Sequence, residues 1–201
     1  MLTLSGTAAS IGIGGRTPEQ GVAVTAYKVS DDTMIGTGMT DASGNFTLTV
    51  ASNGVAVDGY LKATKATFKD TYLYPPAPLT ANFSGATVLL LTPAVWMQAT
   101  QLAGGTQTAG NGWIGILVVD ANMMAVAGAT VSSTPAGMIH YNDSSGLPHS
   151  TSTVTAADGI GYDIDVASGQ VSVSAAKAGA TFNTHSIKAR PDQVTLTIVS
   201  E

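Results

Sequence analysis

The chain has 201 residues, a length that suits one large domain or two of about 100 residues each. Charged residues make up 10% of it and the net charge is −5, which excludes a basic nucleic-acid-binding surface and argues against anionic membranes as partners. Cysteine is absent, which excludes disulfides, thiolate metal sites and a cysteine nucleophile. The β-branched residues Thr and Val are abundant, and this favours an all-β protein.

The first 92 residues predict short strands separated by turns. Apolar and polar residues alternate in residues 2–5 and 21–27, as a half-buried strand requires. Residues 40–50 read TDASGNFTLTV, in which Asp41 is expected to cap a hairpin turn and Gly44 to supply a positive φ. The apolar residues expected on the buried faces are Leu2, Leu4, Val22, Val24, Ala26, Phe46, Leu48 and Val50.

A different pattern occupies the middle of the chain, where residues 92–105 read TPAVWMQATQLAGG. Thr92 suits the cap of a helix, Pro93 its first turn and Gly104 its end. The following TQTAGNG predicts a flexible linker. The residues expected on the packed face of the helix are Val95, Trp96, Ala99 and Leu102.

The second half repeats the first in the same order. Residues 128–133, GATVSS, match residues 21–27, and residues 194–199, VTLTIV, match residues 87–92. Residues 155–166, TAADGIGYDIDV, match residues 40–50 with one extra residue. This order and spacing predict an internal duplication.

In the strand predicted within residues 155–166, the alternation predicts one buried and one exposed face. Tyr162, Ile164 and Val166 are expected to point inward. Asp163 and Asp165 are expected to point outward onto a solvated face, where two carboxylates need no catalytic explanation.

These segments resemble the carboxypeptidase regulatory-like domains, which have a transthyretin-like fold. In the first copy the resemblance rests on GVAVTAY, TDASGNFTLTV and VDGYLKATK, and the second copy matches more loosely. It implies an all-β chain of two tandem Greek-key β-sandwiches, at residues 1–92 and 111–201. A short helix and linker at residues 93–110 would join them, and residues 135–149 would form a loop insertion in the second. The family implies mostly non-catalytic modules of secreted or periplasmic bacterial proteins.

Three histidines in the second half are candidate metal ligands. His140 and His149 flank the insertion, and His185 lies on a later strand. Together with Asp143 they offer a site for zinc or copper without cysteine. The alternative is that they are ordinary histidines on surface strands, and then the protein has no cofactor.

Two further segments are candidates for ligand binding. Residues 70–78, DTYLYPPAP, place Tyr72 and Tyr74 on one face of an extended segment, where exposed rings would stack on sugars. The alternative is that the two rings pack beneath a neighbouring element. The insertion offers a ring, an amide and a carboxylate in succession, at Tyr141, Asn142 and Asp143, and its alternative is a solvated loop.

We therefore expect a non-enzymatic structural or adhesive module that works outside the cytoplasm, with a protein or glycan partner. The first residues lack the features of a signal peptide, so this localisation assumes a signal outside this sequence. No apolar run is long enough to span a membrane. The alternatives are a protein that binds a glycan or a transition metal and, third, an enzyme with a site between the two domains. The oligomeric state stays open.

Overall fold

The computed structural model describes residues 1–12 and 15–201, and strands dominate that range. The chain divides into two compact units, Met1–Val95 and Trp96–Glu201. The helix of the described residues is too short to cross a membrane. The predicted mostly-β class is confirmed.

The first unit forms a β-sandwich. One sheet centres on β1, which pairs antiparallel with β5 and β2 and parallel with β8. The other sheet has the order β4-β3-β6-β7, with antiparallel neighbours throughout. The strands are β1 Leu2–Gly12, β2 Gly15–Pro18, β3 Ala23–Lys28, β4 Met34–Met39, β5 Asn45–Val50, β6 Gly59–Thr64, β7 Thr71–Tyr74 and β8 Phe83–Leu90.

The core of the first unit lies between these sheets. Its members come from alternating positions of five strands, with one residue just before β3, as the period of two requires. All the residues that the sequence predicted to be buried there are buried. The main side chains are Leu2, Leu4, Val22, Val24, Phe46, Leu48, Val50, Leu61, Val88 and Leu90.

The second unit has the same general plan. One group of strands runs β12-β11-β13-β9-β16, and the other runs β10-β14-β15. The last strand, β16, is parallel to the first, β9. The elements are β9 Gly112–Val119, β10 Thr130–Thr134, β11 Met138–Asn142, β12 Pro148–His149, β13 Ile160–Val166, β14 Gly169–Ala176, β15 His185–Ala189 and β16 Val194–Ser200.

The helix α1 spans Pro93–Leu102, and its ends are those that the sequence predicts. The backbone N–H of Val95 donates to the Thr92 hydroxyl, which caps the first turn. Gly104 follows the last turn at a φ of 77°. The packed face differs from the prediction, because Trp96 and Thr100 are buried whereas Leu102 is 44% exposed.

The segment after α1, predicted as a flexible linker, is tied to the second unit by hydrogen bonds. Asp165 accepts from the Thr108 backbone N–H at 2.7 Å and from the Asn111 side-chain amide at 2.9 Å. Gly110 N–H donates to the Asp192 carboxylate. Gln107 donates to the backbone oxygen of Asn111 and accepts from the Asp165 N–H.

Ile164 and Val166 of β13 are fully buried, as expected, but the register of the strand corrects the expected exposure of Asp163. Asp163 is fully buried and points into the core, whereas Tyr162 lies on the opposite face. The pairing of β13 with β9 shifts between Ile164 and Val166, so Asp165 is the extra residue, with a φ of 62°. A bulge that the alternation does not reveal therefore moved the predicted register by one residue.

Two predicted loops also take other forms. Residues 135–149 contain β11 and β12, a hairpin that extends the sheet through β13. The turn at residues 41–45 has the predicted Asp41 cap and a Gly44 φ of 75°. It is not a hairpin, however, because β4 and β5 belong to different sheets and the turn joins one sheet to the other.

Gly6 offers a test of the packing between β1 and β8. A Cβ there would lie 2.0 Å from the backbone oxygen of Ala86, so Gly6→Ala forces the two strands apart. We expect a loss of about 1–3 kcal/mol in the free energy of unfolding, measured in urea. Gly12→Ala is the control, because no atom of residues 1–12 and 15–201 lies within 4 Å of its added Cβ. Equal effects of the two substitutions would contradict the close approach at Gly6.

Candidate functional site

A buried threonine holds together one corner of the first unit. The Thr40 hydroxyl donates to the backbone oxygen of Glu19 at 2.6 Å and accepts from the backbone N–H of Val22 at 2.9 Å. Its own backbone oxygen accepts from Gly21. Thr40 is 4% exposed, so this residue satisfies backbone groups that water does not reach.

The second unit repeats this corner bond for bond. The Thr155 hydroxyl donates to the backbone oxygen of Val126 at 2.7 Å and accepts from the N–H of Ala129 at 2.9 Å. Its backbone oxygen accepts from Gly128. Gly21 and Gly128 have φ values of 72° and 74°, which a side chain rarely adopts.

A second pair of glycines completes each corner. The Gly44 oxygen accepts from the N–H of Ala8, and the Gly159 oxygen accepts from the N–H of Val118. A Cβ on Gly44 would lie 2.6 Å from the Ala8 oxygen, and one on Gly159 would lie 2.6 Å from the Val118 oxygen. Both positions therefore require glycine for space as well as for φ.

Counted from the threonines and glycines that the two corners share, the second unit has a polar pair where the first unit has an apolar one. Asp163 takes the place of Leu48, and Ser133 takes the place of Ala26. The Asp163 carboxylate accepts from the Ser133 hydroxyl and, at 2.9 Å, from the Gly137 N–H. Burial raises the pKa of Asp163 above its ordinary value, and the two hydrogen bonds oppose that rise.

The three histidines do not form a metal centre. His140 lies on β11 and His149 on β12, whereas His185 lies on β15 with its Nδ1 at 2.7 Å from the Thr197 hydroxyl. Within residues 1–12 and 15–201, no group of three or more His, Asp or Glu side chains is placed to hold a metal. The predicted zinc or copper ligands, His140, His149, His185 and Asp143, are therefore not grouped as one site in this part of the chain.

Tyr72 and Tyr74 do not form an exposed stacking platform. They are 8% and 2% exposed, and the Tyr60 ring lies 6.0 Å from Tyr72 and 5.0 Å from Tyr74. Tyr27 stacks on Tyr60 at 5.5 Å and extends the group. The packed alternative holds, because neither ring has the open face that a sugar would need.

The insertion residues point in three directions. Tyr141 is buried in the core and its hydroxyl accepts from the Val131 N–H at 2.9 Å. Asn142 is 2% exposed, accepts from the Tyr162 hydroxyl and donates to Asp158. Asp143 is half-buried and accepts from backbone N–H groups of its own turn. They therefore form no joint ligand site.

One feature that sequence reasoning missed is the edge strand β4. It ends its sheet, and Met34 and Met39 are 61% and 67% exposed. Gly36 and Gly38 lie against β5, where an added Cβ would be 2.4 Å and 2.7 Å from the backbone oxygens of Thr49 and Thr47. The sequence signal was available, since MIGTGM carries no charge.

The fold thus defines a β-sandwich protein, and comparison with known proteins refines this no further. No protein-family model matches the chain, and no curated protein matches it. Solved structures resemble it weakly. The Bacillus anthracis TIE protein is 13% identical with a TM-score of 0.30, over 99% of this chain and 34% of that chain. This chain therefore spans about a third of that protein's length.

Two pilins give similar values. The shaft pilin SpaA of Lactobacillus rhamnosus GG is 13% identical, over 99% of this chain and 97% of that chain, with a TM-score of 0.31. GBS52, the minor pilin of Streptococcus agalactiae, is 11% identical, over 100% and 96%, with a TM-score of 0.31. Likeness at this level carries no argument about function.

Proposed function

We propose that the chain is a non-enzymatic structural or adhesive module that works outside the cytoplasm and transmits tension through its two units. In this proposal it consists of two tandem sandwiches of the transthyretin-like kind, similar to carboxypeptidase regulatory-like domains. They occupy residues 1–92 and 111–201, with α1 and its following segment between them.

The repeated corner supports an origin by duplication. Thr40 and Thr155 make the same three hydrogen bonds, and the glycines around them approach the same backbone atoms. The last strands align differently from the sequence match. Ala8 and Val118 are equivalent, because each donates to the second glycine of its corner. Ala8 pairs with Val88, and Val118 pairs with Val199. Val199 therefore corresponds to Val88, four residues away from the match that the sequence suggested.

The observation that carries the proposed mechanical role is the pairing of first and last strands. In the first unit β1 and β8 are parallel over six residue pairs, and in the second β9 and β16 are parallel over seven. Tension between the two ends of a unit pulls such strands along their length. All the evenly spaced hydrogen bonds of the ladder then bear the force together, instead of opening one at a time.

The composition supports the proposed location. Absence of cysteine removes thiols that would be open to oxidation outside the cytoplasm. A sandwich with few charges and rigid sheets suits a spacer or adhesive part better than a catalyst. A protein or glycan partner remains part of the proposal.

Single-molecule force spectroscopy tests this mechanical role. The cysteine-free chain accepts engineered cysteine handles, placed at Met1 and Glu201 to pull each unit through its first and last strands. We expect two unfolding events at high force. Their lengths should match about 95 and 106 residues at roughly 3.3–3.6 Å each.

The control pulls the first unit in another direction. Handles at Met1 and Ala51 act at adjacent ends of the antiparallel β1–β5 pair, in which Leu2 lies opposite Val50. This geometry opens the ladder bond by bond, so the first unit should unfold at a force several-fold lower. Equal forces in the two directions would refute the tension-bearing role, because unfolding rate would then not depend on the parallel ladder.

A further inference from the structure

The outer edge of β4 is open to a further strand. In the described part of the chain β4 pairs with β3 alone, and the sheet ends there. Exposed edges of natural sheets are usually protected by Lys, Pro, β-bulges or very short strands. β4 has six residues and neither Lys nor Pro, and one register shift, at Ile35, leaves Gly36–Met39 in regular pairing.

The two ends of this edge are acidic. Asp31 and Asp32 precede β4, and Asp41 follows it. All three are exposed. The backbone N–H groups of Thr33 and Asn45 hold the pKa values of Asp31 and Asp41 below their ordinary range, so both carboxylates are charged at neutral pH.

Charge opposes a second copy of the chain in the register that aligns the two ends of β4. The two-fold antiparallel pairing of β4 with itself that sets Met34 opposite Met39 also sets Asp32 opposite Asp41. Like charges directly opposite each other destabilise a strand pair. The edge therefore favours a partner that brings positive charge to both ends.

We propose that β4 is a docking edge for an extended segment of a partner protein, with an uncharged centre and a Lys or Arg at each end. Main-chain hydrogen bonds to β4 would supply affinity, and the basic ends would select the segment. The six extended residues of β4 span about 20 Å, and Asp31 and Asp41 lie beyond its two ends, so the two basic residues should stand about nine positions apart. This segment is the protein partner of the adhesive module proposed above, and the inference rests on that proposed function.

Titration with a designed peptide tests the docking edge. The probe is a labelled ten-residue peptide, KSVTVTVTSK, in which the two Lys residues are nine positions apart. Fluorescence anisotropy should show saturable binding that weakens as salt is added. The double variant Asp31→Asn, Asp41→Asn should weaken binding about three- to tenfold.

Asp120→Asn is the matched protein control. Asp120 accepts from the N–H groups two and four residues later, as Asp41 does, but it lies in the second unit. This variant should leave the affinity unchanged. An effect as large as that of the double variant would show only general charge attraction and would overturn the proposal.

Alternate methylation of the peptide backbone tests the pairing itself. Successive amides of a strand point to opposite edges, so N-methyl groups on one alternate set should abolish binding and those on the other set should be tolerated. Equal tolerance of both sets, or no saturable binding of the unmodified peptide, would overturn the proposal. The force experiment would be unaffected, because it loads β1 and β8 and not β4.

Sedimentation of the protein alone tests whether a second copy of the chain occupies the β4 edge instead. We expect no self-association through β4. A dimer that the substitution Thr37→Lys dissociates would show that a second copy occupies the edge, and would also overturn the proposal.

Discussion

Thr155→Val should lower the free energy of unfolding of the second unit by about 2–6 kcal/mol, because it leaves two buried backbone groups without a partner at roughly 1–3 kcal/mol each. Valine has nearly the shape of threonine, so the loss reports the hydroxyl and not a cavity. Trp96 and Trp113 both belong to the second unit, and their fluorescence in a urea titration reads its transition.

Three further substitutions serve as comparisons for Thr155→Val. Thr155→Ser keeps the hydroxyl and should retain most of the stability, whereas the exposed Thr134→Val should change it by less than about 0.5 kcal/mol. Thr40→Val should cost the first unit a similar amount to Thr155→Val, read from amide hydrogen exchange. If Thr155→Val proved no more damaging than Thr134→Val, the corner would not stabilise the unit in the way the hydrogen bonds indicate.

Asp163→Asn should stabilise the second unit at neutral pH and make little difference in acid. The folded state raises the pKa of Asp163 above its ordinary value of 3.8, so between those two values the folded chain holds a proton that the unfolded chain has released. The contribution of Asp163 to stability is therefore greatest below about pH 4 and falls as pH rises to the folded pKa.

The measurement is the difference in free energy of unfolding between Asp163→Asn and the unmodified protein, taken by urea titration from pH 3 to pH 8 (chosen to bracket the ordinary value). Taking a difference removes the opposite pH dependence of carboxyls such as Asp41 and Asp143, whose pKa values are lowered. A difference that stays constant with pH would show that Asp163 titrates normally.

The same site allows the polar pair to be converted into the apolar pair of the first unit. Asp163→Leu alone leaves the Ser133 hydroxyl and the Gly137 N–H without their acceptor. Adding Ser133→Ala removes one of these unsatisfied groups and recreates the Leu48 and Ala26 arrangement. Because the double variant leaves one buried polar group without a partner instead of two, it should exceed the single variant in stability by about 1–3 kcal/mol.

Sequence reasoning performed best where local rules decide the outcome. The alternation in residues 2–5, 21–27 and 45–50 gave the correct buried faces, and the caps at Thr92 and Gly104 gave the correct ends of α1. In each case the determining contacts are within a few residues or repeat with a fixed period.

It failed where a distant contact or one inserted residue decides. The bulge at Asp165 changes no residue type in the pattern, yet it turns Asp163 inward. The burial of Tyr72 and Tyr74 depends on rings from other strands, such as Tyr60. The separation of His140 and His185 onto different sheets follows from topology, which spacing along the chain does not encode.

The paired corners have a consequence for how the fold tolerates added chain. Between β3 and Thr40 the first unit has residues 29–39, whereas between β10 and Thr155 the second has residues 135–154, nearly twice as many. The threonine and glycine contacts are the same in both units although the connections differ in length. The corner therefore forms independently of the length of the connection before it. We expect the exposed turn between β11 and β12, at residues 144–146, to accept a grafted foreign peptide, whereas the few residues from each threonine to the glycine after it should accept none.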